Sequence, residues 1–247
     1  MTPDVQIFER PAQVAQALAQ LFVDSGRVAI AEQGNFRVAL AGGTTPKTAY
    51  ELLGDEPLRD GIFWKDVFIY FGDERCVPPD DPQSNYRMAN EAFLSRINIP
   101  LGNIHRMRGE DEPQTAAASY ARVLVEDLGS LPRFDLILLG LGPDGHTASL
   151  FPGTSPVTDD ALLVRAPFVA KFQMHRLTIT PSVINNARHV VFTTEGDGKA
   201  AALAAVLEGA YEPEEYPAQI VKPTDGILTW LVDRAAASQL KNTAQFS

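Results

Sequence analysis

The stretch 134–153 constrains the fold of this chain more than any other. It begins with an apolar run, Phe-Asp-Leu-Ile-Leu-Leu-Gly-Leu, which is too short to span a membrane and too uniform for a strand with one solvated face. Such a run is typical of a central strand in a parallel sheet covered on both faces. The glycine- and proline-containing turn 142–145 then ends the strand and places Asp144 and His146 at its carboxyl end, where open α/β sheets bind ligands. His146 is therefore the first candidate for chemistry.

The alternation of apolar runs and helical patterns predicts the fold class. Strand patterns alternate with helical ones, and this favours an α/β fold: a doubly wound, mainly parallel sheet with helices on both faces, in a three-layer, Rossmann-like arrangement. No repeat, low-complexity tract or linker divides the chain, so we expect one domain over 1–247. A closing helix is predicted at 233–240, and the loop 208–223, rich in Glu, Pro and Tyr, is a candidate lid. The predicted strands are 36–41, 67–71, 134–141, 174–180, 189–194 and 227–232.

A glycine-rich loop follows the first of these strands. The sequence Gly-Gly-Thr-Thr-Pro precedes a helical pattern, with Thr45 as the expected N-cap and Pro46 as the first helical residue. Backbone N–H groups before a helix can face an anion, and threonine hydroxyls add donors. A tight turn without a ligand explains the pattern equally well, and the loop lacks the Gly-Lys-Ser/Thr ending of a Walker A motif. The candidate residues for binding such an anion are Gly42, Gly43, Thr44 and Thr45.

Charged residues follow two other predicted strands. Asp73, Glu74 and Arg75 come after 67–71, either as a solvated turn or as part of a crevice built from strand ends. Lys199 lies at a predicted helix start, where a cation opposes the helix dipole unless an anion sits beside it. A lysine extended into solvent is the alternative.

Composition narrows the possible partners. The formal net charge of −10 argues against broad binding to nucleic acid or anionic membranes, so an anionic ligand needs a local basic pocket. The single cysteine, Cys76, excludes an intrachain disulfide and fits a reducing compartment. The amino terminus lacks the pattern of a secretory signal, so a cytoplasmic location is expected, with no membrane or nucleic-acid partner. The sequence leaves a monomer and a small homo-oligomer equally open.

An ester or lactone can be hydrolysed with a bound metal, a serine nucleophile, a cysteine nucleophile or a general base. The chain has four histidines, none at His-x-x-x-His spacing, so we expect no metal and no cofactor. Ser149 lacks the Gly-x-Ser-x-Gly frame of a serine nucleophile. Cys76 stays possible as a nucleophile because Arg75 adjoins it, although free cysteines are usually inert. General-base catalysis by His146 is preferred, because histidine titrates near neutrality and a positioned base is worth about 10²–10⁴-fold in rate. Asp144 or Asp73 could orient the imidazole.

Three motifs resemble those of the 6-phosphogluconolactonase family, within the glucosamine/galactosamine-6-phosphate isomerase superfamily. They are Ala-Gly-Gly-Thr-Thr-Pro at 41–46, Gly-Asp-Glu-Arg at 72–75, and Gly-Leu-Gly-Pro-Asp-Gly-His-Thr-Ala-Ser-Leu-Phe-Pro at 140–152. The resemblance implies hydrolysis of a phosphorylated sugar lactone, 6-phospho-D-glucono-1,5-lactone. It also implies that the glycine–threonine loop holds the phosphate, together with Arg176 and Lys199, and that Asn85 borders the site.

Two other functions remain as alternatives. Glucosamine-6-phosphate deaminases share the resemblance, but in them a glutamate follows shortly after the histidine and assists ring opening. This chain has Phe151 there, which favours hydrolysis. A non-enzymatic sugar-phosphate sensor would need the loop and no base, and the sequence offers no effector segment to support it.

Overall fold

Six parallel strands form the central sheet of this computed structural model, which describes residues 3–154 and 162–241. Their order across the sheet is β1-β10-β9-β5-β2-β3. The strand that leads into the His146 loop, β5, therefore lies between β9 and β2, the strand that leads into the glycine loop. Buried residues dominate five of these strands, which explains why the sequence predicts them, whereas β1 is missed because only its Val5 is buried. Their bounds are Asp4–Phe8 (β1), Phe36–Leu40 (β2), Val67–Phe71 (β3), Leu136–Gly140 (β5), His189–Thr194 (β9) and Ile227–Asp233 (β10).

A small antiparallel sheet stands beside the central one. In it β4 pairs with β8, and β8 pairs in turn with β6 and β7. The sequence predicts β8 but treats 73–75 as a turn, and the structure makes it a short strand because β8 supplies its hydrogen-bonding partner. The bounds are Asp73–Arg75 (β4), Val164–Arg165 (β6), Phe168–Val169 (β7) and Met174–Ile179 (β8).

Helices flank the central sheet, which confirms the predicted α/β class. The longest packs against the second helix and against β2 and β10, burying a stripe that includes Val14, Leu18 and Phe22. The bounds are Pro11–Gln33 (α1), Thr44–Leu53 (α2), Asn85–Ala92 (α3), Pro113–Leu128 (α4), Pro181–Asn185 (α5) and Ala200–Glu208 (α6). Ser84 caps α3, its hydroxyl accepting from the Arg87 N–H at 3.1 Å.

Two predicted boundaries are wrong. Helix α2 begins at Thr44 and its N-cap is Gly43, with φ 112°, so Thr45 is already helical and caps nothing. The segment 233–240 forms only a 3-10 turn, Ala236–Gln239, instead of a closing helix. The buried Asp233 carboxylate accepts from the N–H groups of Ala236 and Gly196, which ties this segment to the β9–α6 connection.

The candidate lid at 208–223 begins at the last residue of α6, Glu208, and continues as the connection to β10. Within 209–223 the only regular element is a 3-10 turn, Pro217–Ile220, and its Ala218 N–H donates to the Gly145 carbonyl at 2.9 Å. The segment therefore packs against the loop that carries His146. Across the described ranges, the longest helices are too short or too polar to cross a bilayer.

Candidate active site

A cleft of about 500 Å³ opens at the carboxyl ends of four adjacent strands, β9, β5, β2 and β3. Parallel strands bring their carboxyl ends to one edge, so loops that are far apart in sequence meet there. Most of the residues singled out from the sequence line this cleft: Gly42, Gly43, Thr44, Thr45, Asp73, Arg75, Asn85, His146 and Lys199.

The glycine loop forms one wall. Gly43 has a left-handed φ that a residue with a side chain rarely adopts, and a Cβ on Gly42 would collide with the Asn85 side chain. The two glycines therefore let the backbone turn into α2 while Asn85 packs against it. The first N–H groups of a helix have no partner within the helix, so this wall presents donors to an anion. Thr44 Oγ1 donates to Glu195 Oε1 at 3.1 Å.

His146 and Asp144 form a hydrogen-bonded pair in the opposite loop. Asp144 Oδ1 lies 2.5 Å from His146 Nδ1, and Lys171 Nζ donates to Asp144 Oδ2 at 3.0 Å. The hydrogen bond with His146 is the main reason that the pKa of Asp144 lies well below its usual value, and Lys171 adds to the effect. An ionised carboxylate can only accept, so the hydrogen bond requires a proton on Nδ1 and leaves Nε2 as the ring nitrogen that can accept a proton.

The loop backbone holds the ring in place. The Gly142 N–H donates to the His146 carbonyl at 2.8 Å, and a Cβ on Gly142 would overlap the imidazole. Gly145, with φ 74°, makes the turn and leaves room for Tyr216. Phe151 stacks on the imidazole with ring centroids 4.1 Å apart and an interplanar angle of 26°.

Asp73 has other partners. Its Oδ1 accepts from Asn85 Nδ2 at 3.1 Å, and its Oδ2 accepts from Ser149 Oγ at 2.7 Å. Ser149 is fully buried, and its bond to Asp73 shows that its hydroxyl braces the cleft floor. Of the two carboxylates considered for the imidazole, the structure places Asp144 against it and Asp73 beneath Asn85.

Glu74 anchors the start of α3. Its carboxylate accepts from the N–H groups of Asn85 at 2.7 Å and Tyr86 at 2.8 Å and from Ser84 Oγ at 3.0 Å. Burial raises the pKa of Glu74, and these backbone hydrogen bonds oppose that rise. Glu74 therefore fixes Asn85 and the cleft wall without facing the cleft.

The basic residues differ in their access to the cleft. Arg75 and Lys199 line it, and burial lowers the pKa of Lys199 while the Asp144 charge opposes that shift. Arg176 lies outside the lining residues, cross-strand from Arg75, with its guanidinium 5.0 Å from the Phe172 ring centre. Burial and the Arg75 charge lower the pKa of Arg176. The structure thus does not bring Arg176 to the cleft surface.

Cys76 is unsuited to act as a nucleophile. The thiol is half-buried, and burial raises its pKa to about 11. A thiol with that pKa is almost entirely un-ionised at neutral pH, whereas the thiolate is the nucleophile.

Two charged residues near the site were missed from sequence. Glu195 lines the cleft at the end of β9, and the rule that singled out 73–75 could have found it. Lys171 lies in a turn of the small antiparallel sheet, and its position carries no sequence signal. Among the residues described, no group of three or more His, Cys, Asp or Glu side chains is arranged to hold a metal ion.

Comparison with known proteins places the chain in a family. The model of the glucosamine-6-phosphate isomerases/6-phosphogluconolactonase family matches residues 9–230. A 6-phosphogluconolactonase from Synechocystis sp. is 42% identical over 218 residues, covering 86% of this chain and 88% of the relative. One from Haemophilus influenzae is 37% identical over 206 residues, covering 82% and 87%.

Solved structures agree with this placement. The 6-phosphogluconolactonase of Trypanosoma brucei superimposes with a TM-score of 0.84 at 28% identity, covering 97% of this chain and 99% of that one. A monomeric glucosamine-6-phosphate deaminase shares the fold, with a TM-score of 0.81 at 24% identity and coverage of 96% and 99%. From its sequence, its sheet and its cleft, the chain belongs to the glucosamine-6-phosphate isomerase/6-phosphogluconolactonase family.

Proposed function

We propose that this protein is a 6-phosphogluconolactonase that hydrolyses 6-phospho-D-glucono-1,5-lactone to 6-phospho-D-gluconate, a step of the oxidative pentose phosphate pathway, with His146 as a general base and without a metal. The observation that carries the proposal is the His146–Asp144 pair in the same cleft as the glycine–threonine loop. The similarity to curated 6-phosphogluconolactonases supports the substrate.

The base acts through Nε2. With Nδ1–H donated to Asp144, the Nε2 lone pair takes a proton from a water that attacks the C1 carbonyl. The imidazolium that forms is stabilised by the Asp144 carboxylate. As the tetrahedral intermediate collapses, the C1–O bond to the ring oxygen breaks and His146 returns the proton to that oxygen. A carboxylic acid and a free hydroxyl result, and the base is regenerated.

The opposite wall binds the phosphate in this proposal. Thr44, Thr45 and the backbone of the glycine loop supply donors, and Lys199 supplies a cation. Arg75 also lines the cleft, and its guanidinium stabilises negative charge on the substrate. We leave Arg176 out of the direct ligands because it does not line the cleft.

Phe151 favours hydrolysis over the isomerase reaction. Ring opening of an amino sugar in the related deaminases uses a carboxylate shortly after the histidine. Here an apolar ring stacks on the imidazole at that position. No carboxylate other than Asp144 hydrogen-bonds His146 among the residues described.

Purified protein and a His146→Asn variant test the proposal. The wild type should hydrolyse 6-phosphogluconolactone well above the spontaneous rate, and His146→Asn should lose about 10²-fold or more in kcat because it lacks a base. Binding of 6-phosphogluconate, measured by calorimetry, should persist in the variant. Retained turnover in His146→Asn would overturn the assignment of His146 as the base. Release of ammonia from glucosamine 6-phosphate by the wild type would show that the protein is an isomerase and overturn the proposed lactonase function.

A further inference from the structure

The turn 170–173 contacts Asp144 directly and His146 through Phe151. Lys171 Nζ donates to the Asp144 oxygen that His146 does not use. Its neighbour Phe172 packs edge-on against Phe151, with ring centroids 5.8 Å apart, and Phe151 stacks on His146. Two consecutive residues of one turn therefore reach the carboxylate and, through Phe151, the imidazole.

This turn is held by the small antiparallel sheet. It joins β7 to β8, and Gln173 adopts a left-handed conformation with φ 51°. The N–H and the side-chain amide of Gln173 both donate to the Ala170 carbonyl, at 3.2 and 2.7 Å. The Arg176 guanidinium packs over Phe172 from β8. The support for Asp144 is thus anchored outside the loop that carries Asp144.

Lys171 contacts the Asp144 carboxylate and does not line the cleft. It is absent from the residues that line the cleft, and more than half of its side chain is exposed. Asp144 has two side-chain partners among the described residues, His146 and Lys171. Without Lys171, His146 would be the one remaining side-chain partner of the carboxylate among the described residues, and the carboxylate would be freer to rotate away from it.

We propose that Lys171 is a positioning residue for the lactonase reaction: by holding the second oxygen of Asp144 it keeps the first oxygen on His146 Nδ1 and so aims Nε2 at the attacking water. The proposal rests on the general-base role of His146 given above. Lys171 orients the base through Asp144 and makes no contact with substrate.

Single substitutions separate this role from substrate binding. Lys171→Met should lower kcat about two- to fivefold, the size expected for one exposed ion pair, and leave KM within about 1.5-fold. Lys171→Arg keeps the charge and should restore most of kcat. Lys65→Met removes an exposed charge from the opposite end of β3 and should change neither constant. A raised KM with unchanged kcat would make Lys171 a substrate ligand and overturn the proposal.

A double-mutant cycle tests whether Lys171 works through Asp144. In an Asp144→Asn background, Lys171→Met should have no further effect on kcat, because the carboxylate that it holds is gone. The same fold-loss in both backgrounds would overturn the proposal.

A readout without turnover keeps this test separate from that of the lactonase function. In proton NMR, a hydrogen-bonded imidazole N–H that disappears in His146→Asn reports the bond to Asp144. It should broaden in Lys171→Met and stay sharp in Lys65→Met. An unchanged signal in Lys171→Met would refute the positioning role whether or not the protein is a lactonase.

Discussion

At the scale of single residues, the site depends on small groups that leave space for large ones. Gly42 leaves room for the Asn85 amide, and Gly142 leaves room for the imidazole of His146. Steric contacts of this kind restrict the orientation of a side chain, because the neighbouring atoms block its other rotamers.

Gly142→Ala should damage catalysis selectively. Gly142 does not have a left-handed φ, so alanine causes no backbone strain, but its Cβ would displace the His146 ring. We expect kcat to fall about tenfold or more, because a general base displaced by about an ångström transfers protons less efficiently. The midpoint of thermal unfolding should stay close to that of the wild type. Gly102→Ala, which adds a Cβ in open space, is the matched control. Wild-type kcat in Gly142→Ala would show that the ring tolerates the shift.

Lys199→Ala should weaken recognition of the phosphate. A charge-assisted hydrogen bond to phosphate is lost, so KM for 6-phosphogluconolactone should rise about tenfold or more. Hydrolysis of the unphosphorylated glucono-1,5-lactone should stay unchanged, which separates phosphate binding from chemistry. Lys65→Ala controls for net charge. An equal effect on both lactones would move Lys199 out of the phosphate site.

Sequence predicts the residues of the site better than their contacts. His146 and Asp144 follow a buried strand, so their place at the cleft edge can be read from pattern. Which of Asp144 and Asp73 hydrogen-bonds the imidazole cannot be read from the sequence, because it depends on where Asn85 and Ser149 lie in three dimensions. Lys171 escapes prediction because it reaches Asp144 from an antiparallel turn that no parallel-sheet rule describes.

At the scale of elements, the connection 209–223 braces the loop that carries His146. Ala218 donates to the Gly145 carbonyl and Glu214 accepts from the Gly153 N–H at 3.2 Å. The buried Gln219 closes this connection on itself: its amide donates to the carbonyls of Ala205 at 2.9 Å and Ala210 at 2.7 Å, and its oxygen accepts from the Glu212 N–H.

Gln219→Ala should loosen this connection. Three backbone groups lose a buried partner, and each unsatisfied group costs roughly 1–3 kcal/mol. Hydrogen exchange measured by mass spectrometry should therefore accelerate in 209–221 and in the loop containing Gly145, and kcat should fall. Gln20→Ala removes an exposed side chain on α1 and serves as the control. Wild-type exchange in 209–221 would show that Gln219 is dispensable.

The elements that sequence predicts are those whose burial is uniform. Val67–Phe71 and His189–Thr194 match their predicted bounds because nearly every residue of each strand is buried. Asp73–Arg75 was missed as a strand because charged residues pair there only through β8, a hundred residues further on. The helix predicted at 233–240 is wrong: the segment forms only the 3-10 turn Ala236–Gln239, and the Asp233 carboxylate accepts from the N–H groups of Ala236 and of Gly196 in the β9–α6 connection.

At the scale of the whole molecule, one hydrophobic core joins both edges of the central sheet. Trp64 packs near the β3 edge, with ring centroids 6.0 Å from those of Phe22 and Phe93. Trp230 lies on β10 near the other edge and stacks on Phe192 at 3.9 Å. Both belong to the same core cluster, and from this we propose that the described residues form one domain.

The two tryptophans allow a test of single-domain behaviour. Trp64→Phe and Trp230→Phe variants each keep one fluorescent reporter, since the chain has two tryptophans. In urea, the fluorescence midpoint of each variant should coincide with its own far-UV circular dichroism midpoint, as two-state unfolding requires. Separate midpoints would divide the chain into independently stable parts.

The strand order β1-β10-β9 has a consequence for synthesis on the ribosome. β1 has β10 as its neighbour in the central sheet, and β10 begins at Ile227. Asp4–Phe8 therefore emerges from the exit tunnel long before its mate has been translated. A nascent chain of this protein therefore has to carry β1 with its β10-facing edge unpaired until β10 has been translated.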